Sequence, residues 1–297
     1  MSDIKYGGSG GTHEWAKIAF PSPTLNVSSM ATTPIEILDL AGEKFCHGTG
    51  FIYRRDESVY LVTAWHVVSG RNFFDGKLNS KGLIPRRFRI FIPSFEQADE
   101  ILTISSNPIE ITLTDKAVAA LTQPPIPFGF QVDVAVAKLP IETIKSGDFT
   151  SKGMNEFKWG IVERLGSPIQ SMVGADIFVL GYPLSTYEEL KTPIWKRGSL
   201  ASEPSFKVSP EGAFLVDVNS TQGMSGGPII RRVITLTADN KDNGCIQEFY
   251  DEMVIGIYSG RALSQNEPNF VLGYGWSIDL VHKIIEMGQC FSCDAQD

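Results

Sequence analysis

The sequence predicts an all-β protein, two six-stranded antiparallel β-barrels followed by a C-terminal α-helix. Three observations predict it. Runs rich in Ile, Val, Phe and Tyr, bounded by turn residues, fall into two sets of six. A polar connector over residues 141–171 parts the two sets. Amphipathic helical spacing is clearest at the end of the chain, so sheet faces must bury one another.

The elements follow in order. Residues 1–29 read as a flexible arm, with linker composition at Gly7-Gly8-Ser9-Gly10-Gly11. Within it, His13 to Phe20 is expected to make a helical turn ended by Pro21 and Pro23. The first barrel, residues 30–140, takes strands at about 34–40, 48–55, 58–63, 87–93, 109–114 and 131–139. Arg55-Asp56-Glu57-Ser58 reads as a hairpin turn, and Ser69–Lys81 and Phe95–Asp99 read as surface loops. Pro124-Pro125-Ile126-Pro127 cannot lie in a central strand and leads stiffly into the last one. The second barrel, residues 172–277, takes strands at about 175–182, 194–200, 213–219, 228–235, 252–259 and 270–277, with Thr237–Phe249 as a polar hairpin loop. Residues 278–297 hold the helix and a tail. Ser277 caps the helix, Leu280, Val281, Ile284 and Ile285 form its apolar stripe, and Gly288 ends it.

Composition narrows the function. At 297 residues with 42% hydrophobic and 20% charged content, the chain can bury a sizeable core. A net charge of −8 argues against nucleic-acid binding, which needs basic patches. No apolar run reaches the length of a membrane span, and Met1–Tyr6 lacks a signal pattern, so a cytoplasmic location is expected. The four cysteines, Cys46, Cys245, Cys290 and Cys293, form no obvious disulfide framework. Cys290-x-x-Cys293 could be half of a zinc site, but His282 is the only nearby histidine and no second pair exists. We read it as a tail thiol pair without a role, and expect no metal and no cofactor.

The chemistry concentrates at Gly223-Met224-Ser225-Gly226-Gly227-Pro228. A serine nucleophile must project from a tight turn whose backbone N–H groups are free to face a developing oxyanion. Glycines permit that turn. Upstream, Thr63-Ala64-Trp65-His66-Val67-Val68 follows the apolar run Val59–Val62, and Gln131–Ala137 alternates around a single acid, Asp133. The order His, Asp, Ser is one of three known for such triads.

These stretches resemble the trypsin-like serine peptidases of chymotrypsin fold, and among them most closely the Htr/Deg-type. The resemblance also rests on Gly48-Thr49-Gly50-Phe51-Ile52, Leu180-Gly181-Tyr182-Pro183 and Val254-Ile255-Gly256-Ile257, and spans about residues 34–288. Nothing in the chain reads as the PDZ domain that Htr-type chains often append. The resemblance implies a serine endopeptidase with a His66/Asp133/Ser225 triad. It implies an oxyanion hole from the backbone N–H groups of Gly223 and Ser225. It places Asn219 at the base of the primary specificity pocket. Gln222 is expected at its rim and Arg261 on the opposite wall, just past Tyr258 and Ser259, which are expected to belong to the pocket too. Without an acid at position 219, no strong preference for Arg or Lys is expected. Digestive relatives carry an aspartate before the serine that pairs with a newly cut N-terminus; Met224 cannot, so activity without N-terminal cleavage is expected. The partners implied are protein or peptide substrates, with no nucleic acid and no membrane. The alternative is a retired or partner-gated fold, in which loops 69–86 and 237–251 hold the site closed until an activating partner binds. A retired site usually loses a triad residue or a glycine of the serine turn, and all are present.

Overall fold

The computed structural model describes residues 17–19, 26–39, 41–56, 58–78, 82–98, 101–122, 132–139, 173–183, 192–203, 212–238, 246–261, 272–292 and 294–295. The expected connector at 141–171, the glycine-rich run of the arm, and His13, Cys245 and Cys293 lie outside them.

Fifteen strands and four helices are described. In the first half come β1 (Lys17–Ala19), α1 (Val27–Ala31), β2 (Thr32–Leu38), β3 (Lys44–Arg55), β4 (Ser58–Thr63) and α2 (Trp65–Ser69). They are followed by β5 (Arg87–Ala98), β6 (Ile101–Thr112), α3 (Asp115–Leu121) and β7 (Ala135–Leu139). The second half holds β8 (Asp176–Gly181), β9 (Ile194–Leu200), β10 (Ala213–Asp217), β11 (Pro228–Ala238), β12 (Ile246–Arg261) and β13 (Leu272–Ser277). α4 (Asp279–Glu286), β14 (Phe291–Ser292) and β15 (Asp294–Ala295) end the chain. Among the described residues, no helix is long and apolar enough to cross a membrane.

The second set of six strands closes into a barrel in the order β10-β13-β12-β11-β8-β9. The first set lies in the order β6-β5-β2-β3-β4-β7 within a nine-stranded sheet. Its two outer members are joined by the tail rather than by each other. β14 pairs with β7 in parallel, and β15 pairs antiparallel with β6. Phe291 anchors this strap. It is 6% exposed and meets the Phe88 ring edge-on, with centroids 6.2 Å apart.

Several expectations are corrected. Of the helical turn expected at 13–20, the described residues 17–19 form β1 instead, which pairs with β6 at Lys17↔Thr103. The surface loop expected at 95–99 belongs largely to β5, whose ladder with β6 runs from Arg87↔Thr112 to Ala98↔Ile101. Of the loop expected at 237–249, the described residues Thr237, Ala238 and Ile246–Phe249 belong to a β11–β12 ribbon whose ladder reaches Ala238↔Ile246. Polar composition hid both, because ladder hydrogen bonds hold a ribbon whatever its side chains. The last helix is α4, where Ser277 Oγ accepts from the Asp279 N–H at 3.2 Å and Gly288 leaves the helix at φ +65°.

The two halves meet along one apolar seam. Phe51, Val62, Val132, Val134 and Val136 from the first pack with Leu180, Ile230, Ile257 and Trp276 from the second. α4 adds Leu280, Val281 and Ile284 to the same seam. Its outer face is tied to β3 by Arg55–Glu286 at 2.8 Å and by Tyr53 Oη to His282 Nε2 at 2.6 Å. The Cys290 thiol beyond it is free and half-buried, and burial pushes its pKa up to about 11. The candidate site lies at this seam.

Candidate active site

His66 stands in the first turn of α2, not at the end of a strand as its apolar approach suggested. Helices leave their first N–H groups without intrahelical acceptors. Ala64 at the N-cap offers no side-chain acceptor. Asp133 supplies one from 67 residues away. Its Oδ1 accepts the His66 backbone N–H at 2.7 Å, and its Oδ2 lies 2.6 Å from His66 Nδ1.

Asp133 precedes β7 rather than lying inside it, and it is 0% exposed. Its neighbours explain the burial. Val132, Val134 and Val136 face the seam, while Ala135, Ala137 and Leu139 face the first half's core. A carboxylate held there must be fully hydrogen-bonded. The Ser259 hydroxyl supplies a third donor, to Oδ2. The His66 side chain keeps 29% of its surface exposed. Burial pulls its pKa down, but the charge of Asp133 and the hydrogen bond to it outweigh this and hold it above the ordinary histidine value.

Ser225 sits in the turn between β10 and β11 and is half-buried. Gly223 at φ +100° and Gly226 at φ +88° adopt backbone that side chains resist. Gly226 is doubly constrained, since a Cβ there would stand 2.1 Å from Thr49 O and 2.2 Å from Thr63 Oγ1. The serine turn is thereby pressed onto the segment that leads into α2.

Thr49 grips the turn from the first half. Its N–H donates to Ser225 O at 2.8 Å, and its hydroxyl donates to Gly223 O at 2.7 Å. That hydroxyl accepts the Tyr182 N–H at 3.0 Å, and Thr63 Oγ1 donates to Thr49 O at 2.7 Å. From the other side, the Gly226 N–H donates to Tyr258 O at 2.6 Å. Met224 and Gly227 also donate within the turn. Among the described residues, the N–H groups of Gly223 and Ser225 have no backbone acceptor, and no hydrogen bond joins His66 to Ser225.

Met224 is 0% exposed and packs in the second barrel's core with Val216, Ile229 and Tyr258. The residues expected around a specificity pocket separate. Asn219 and Gln222 are exposed on the loop from β10 into the serine turn. Tyr258 is 1% exposed, its ring turned into the barrel against Gly273 and its hydroxyl bonded to Ser220. The Ser259 hydroxyl is committed to Asp133. The side chains of these two are thus a core ring and a partner of the acid. Arg261 ends β12 opposite Gly273.

Sequence reasoning missed the work of Thr49, Thr63 and Ser259. Thr49 had a signal, since it stands between the two glycines of the quoted Gly48-Thr49-Gly50 block. A Cβ at Gly48 would stand 3.2 Å from Ser225 O and 2.8 Å from the Val67 side chain, so that block is pinched between the serine turn and α2.

A half-barrel and a closed barrel meeting at a seam, with a His–Asp pair on the first and a serine turn on the second, define a chymotrypsin-like fold. The first of the two expected barrels is thus corrected to a half-barrel within a nine-stranded sheet. Residues 48–234, more than half of the chain, match the trypsin-like peptidase domain, and the chain belongs to that family. Among solved structures, it is similar to a serine endoprotease from Yersinia pestis at 14% identity and a TM-score of 0.48, covering 90% of this chain and 67% of that one. It is similar also to the Rv3671c protease of M. tuberculosis. The inactive form aligns at 17% identity and a TM-score of 0.44, covering 88% of each chain. The active form aligns at 16% identity and a TM-score of 0.40, covering 91% of this chain and 83% of that one. No curated protein matches the sequence.

Proposed function

We propose that this protein is a serine endopeptidase that cleaves polypeptides through an acyl-enzyme on Ser225. The two-point attachment of His66 to the buried Asp133 carries the reading. With its Nδ1–H committed to the acid, imidazole presents unprotonated Nε2 as a general base.

In this mechanism His66 takes the Ser225 hydroxyl proton as Oγ attacks the scissile carbonyl. The carbonyl oxygen becomes an oxyanion and accepts hydrogen bonds from the Gly223 and Ser225 N–H groups. Losing one such donor typically costs about 2.7–4 kcal/mol of transition-state stabilisation. Asp133 stabilises the imidazolium without taking its proton. His66 then protonates the leaving amine, and water, activated by the same base, releases the acyl group. Burial of Met224 in an apolar core supports activity without N-terminal cleavage, because no charge there waits for a new amino group.

The test is labelling by a fluorophosphonate, which reacts with activated serines. Native wild type should label, whereas heat-denatured wild type and native Ser225→Ala should not. A folded wild-type protein that takes no label overturns the reading and points to a gated or retired site.

A further inference from the structure

The loop that follows α2 carries two adjacent phenylalanines with different surroundings. Phe73 is partly buried and wedged into the seam. Its ring meets Tyr274 edge-on at 6.2 Å and Trp276 edge-on at 6.1 Å. Phe74 stacks on Phe73 with centroids 4.0 Å apart, meets Tyr274 at 5.8 Å, and leaves 58% of its surface exposed. Its exposure is not that of a slack loop. The Asn72 N–H donates to Lys77 O and the Gly76 N–H to Asn72 O, both at 2.8 Å. Asn72 Oδ1 accepts the Phe74 N–H at 2.8 Å, and Arg71 Nη1 donates to Gly76 O at 2.9 Å. The fold therefore spends a built turn on holding an aromatic ring in water.

The position of that ring matters. Tyr274 is the ladder partner of Gly260 across β12 and β13. A Cβ at Gly260 would stand 3.4 Å from Ser225 Oγ, and φ +107° strains any other residue there. The ladder position between Ser225 and Tyr274 thus carries no side chain. Ladder partners stand about 5 Å apart, so Tyr274 begins within roughly 10 Å of Ser225 Oγ. An extended peptide advances about 3.3 Å per residue, which places the base of the Tyr274 side chain within about three residues of a bond held at Ser225.

We infer that Phe74 and Tyr274 form an aromatic shelf, reaching across the seam, that takes an apolar side chain of the polypeptide within three residues of the scissile bond. This rests on the peptidase reading above. Rings held in place before binding make good anchors, because little side-chain entropy remains to be lost. Gly260 keeps the approach from Ser225 open, and Phe73 fixes the shelf to the second barrel through Tyr274 and Trp276.

The experiment profiles cleavage sites in a denatured proteome for wild type, Phe74→Ala and Tyr274→Ala, with thermal melts confirming that each variant is folded. Wild type should enrich apolar residues at one position within three of the cut. Phe74→Ala, whose ring is mostly exposed, should lower the ratio of kcat/KM for an apolar over a glycine-substituted peptide about tenfold at that position alone. An unchanged ratio in folded Phe74→Ala, or no apolar enrichment in wild type, overturns the shelf. If wild type neither labels with fluorophosphonate nor cleaves, the peptidase reading has failed, and binding then tests the shelf separately. Ser225→Ala should bind apolar peptides more tightly than Ser225→Ala/Phe74→Ala; equal affinity, or no binding, overturns it.

Discussion

Asp133 holds His66 at two points, accepting the backbone N–H at 2.7 Å through Oδ1 and facing Nδ1 at 2.6 Å through Oδ2. One carboxylate therefore caps the start of α2 and orients the ring that the same helix carries. The backbone bond fixes where His66 stands, and the side-chain bond fixes how it turns.

Asp133→Asn should leave the fold in place and cripple the chemistry. An amide can still accept the backbone N–H, but its NH2 faces Nδ1 and imposes the wrong tautomer. The expected loss in kcat is about 10⁴-fold. Steady-state kinetics on a peptide substrate measure it; a loss below about tenfold would remove Asp133 from the mechanism.

Activity and local stability should respond oppositely to pH. The folded-state pKa of His66 is raised above its ordinary 6.5. Protonated His66 cannot act as a base, so kcat/KM should rise with pH, with a midpoint above 6.5. For a raised pKa, the stability contributed by the His66–Asp133 pair is fully present below the unfolded value. It is lost as pH rises through the folded value. Rate profiles, with urea unfolding midpoints across the same pH range, test both signs. Asp133→Asn should move the kinetic midpoint down, and an unmoved midpoint would assign the titration to another group.

Gly226→Ala should be among the most damaging single changes. The added methyl would stand 2.1 Å from Thr49 O, at a φ of +88° that already disfavours alanine. A destabilisation of about 3 kcal/mol or more is expected, with loss of fluorophosphonate labelling. A variant with wild-type melting temperature and labelling would mean that the turn relaxes freely.

Phe291→Ala tests the strap. Truncating a ring that is 6% exposed should cost about 3 kcal/mol in urea unfolding. Hydrogen exchange should then accelerate first in β6 and β7, the strands the tail joins. A change below about 0.5 kcal/mol would mean that the tail does not hold the first half together.

Legibility in the sequence followed the range of the interaction. β4 was readable at its observed bounds, Ser58–Thr63, because an apolar run next to a turn carries its own signal. The serine turn was readable because its backbone demands glycines nearby in the chain. The β5–β6 and β11–β12 ribbons extend beyond the strands legible in the sequence, because stretches such as Phe95–Ala98, with no run of β-forming residues, owe their extended form to a partner strand. α2 was read as a strand end, since one turn of helix is too short to show a period.

The sequence by itself determined the two sets of strands, the chain order of His66, Asp133 and Ser225, and the glycines around the serine. Each is a local pattern, or a set of local patterns in order. Only the tertiary structure decided that Ser259 serves Asp133 across 126 residues, and that Thr49 grips Gly223 across 174. It alone decided that the tail joins β7 to β6. Such contacts leave no periodicity in the chain. A single hydroxyl or a two-residue strand acquires its role from what folding brings within 3 Å, and that distance is unrelated to separation in sequence.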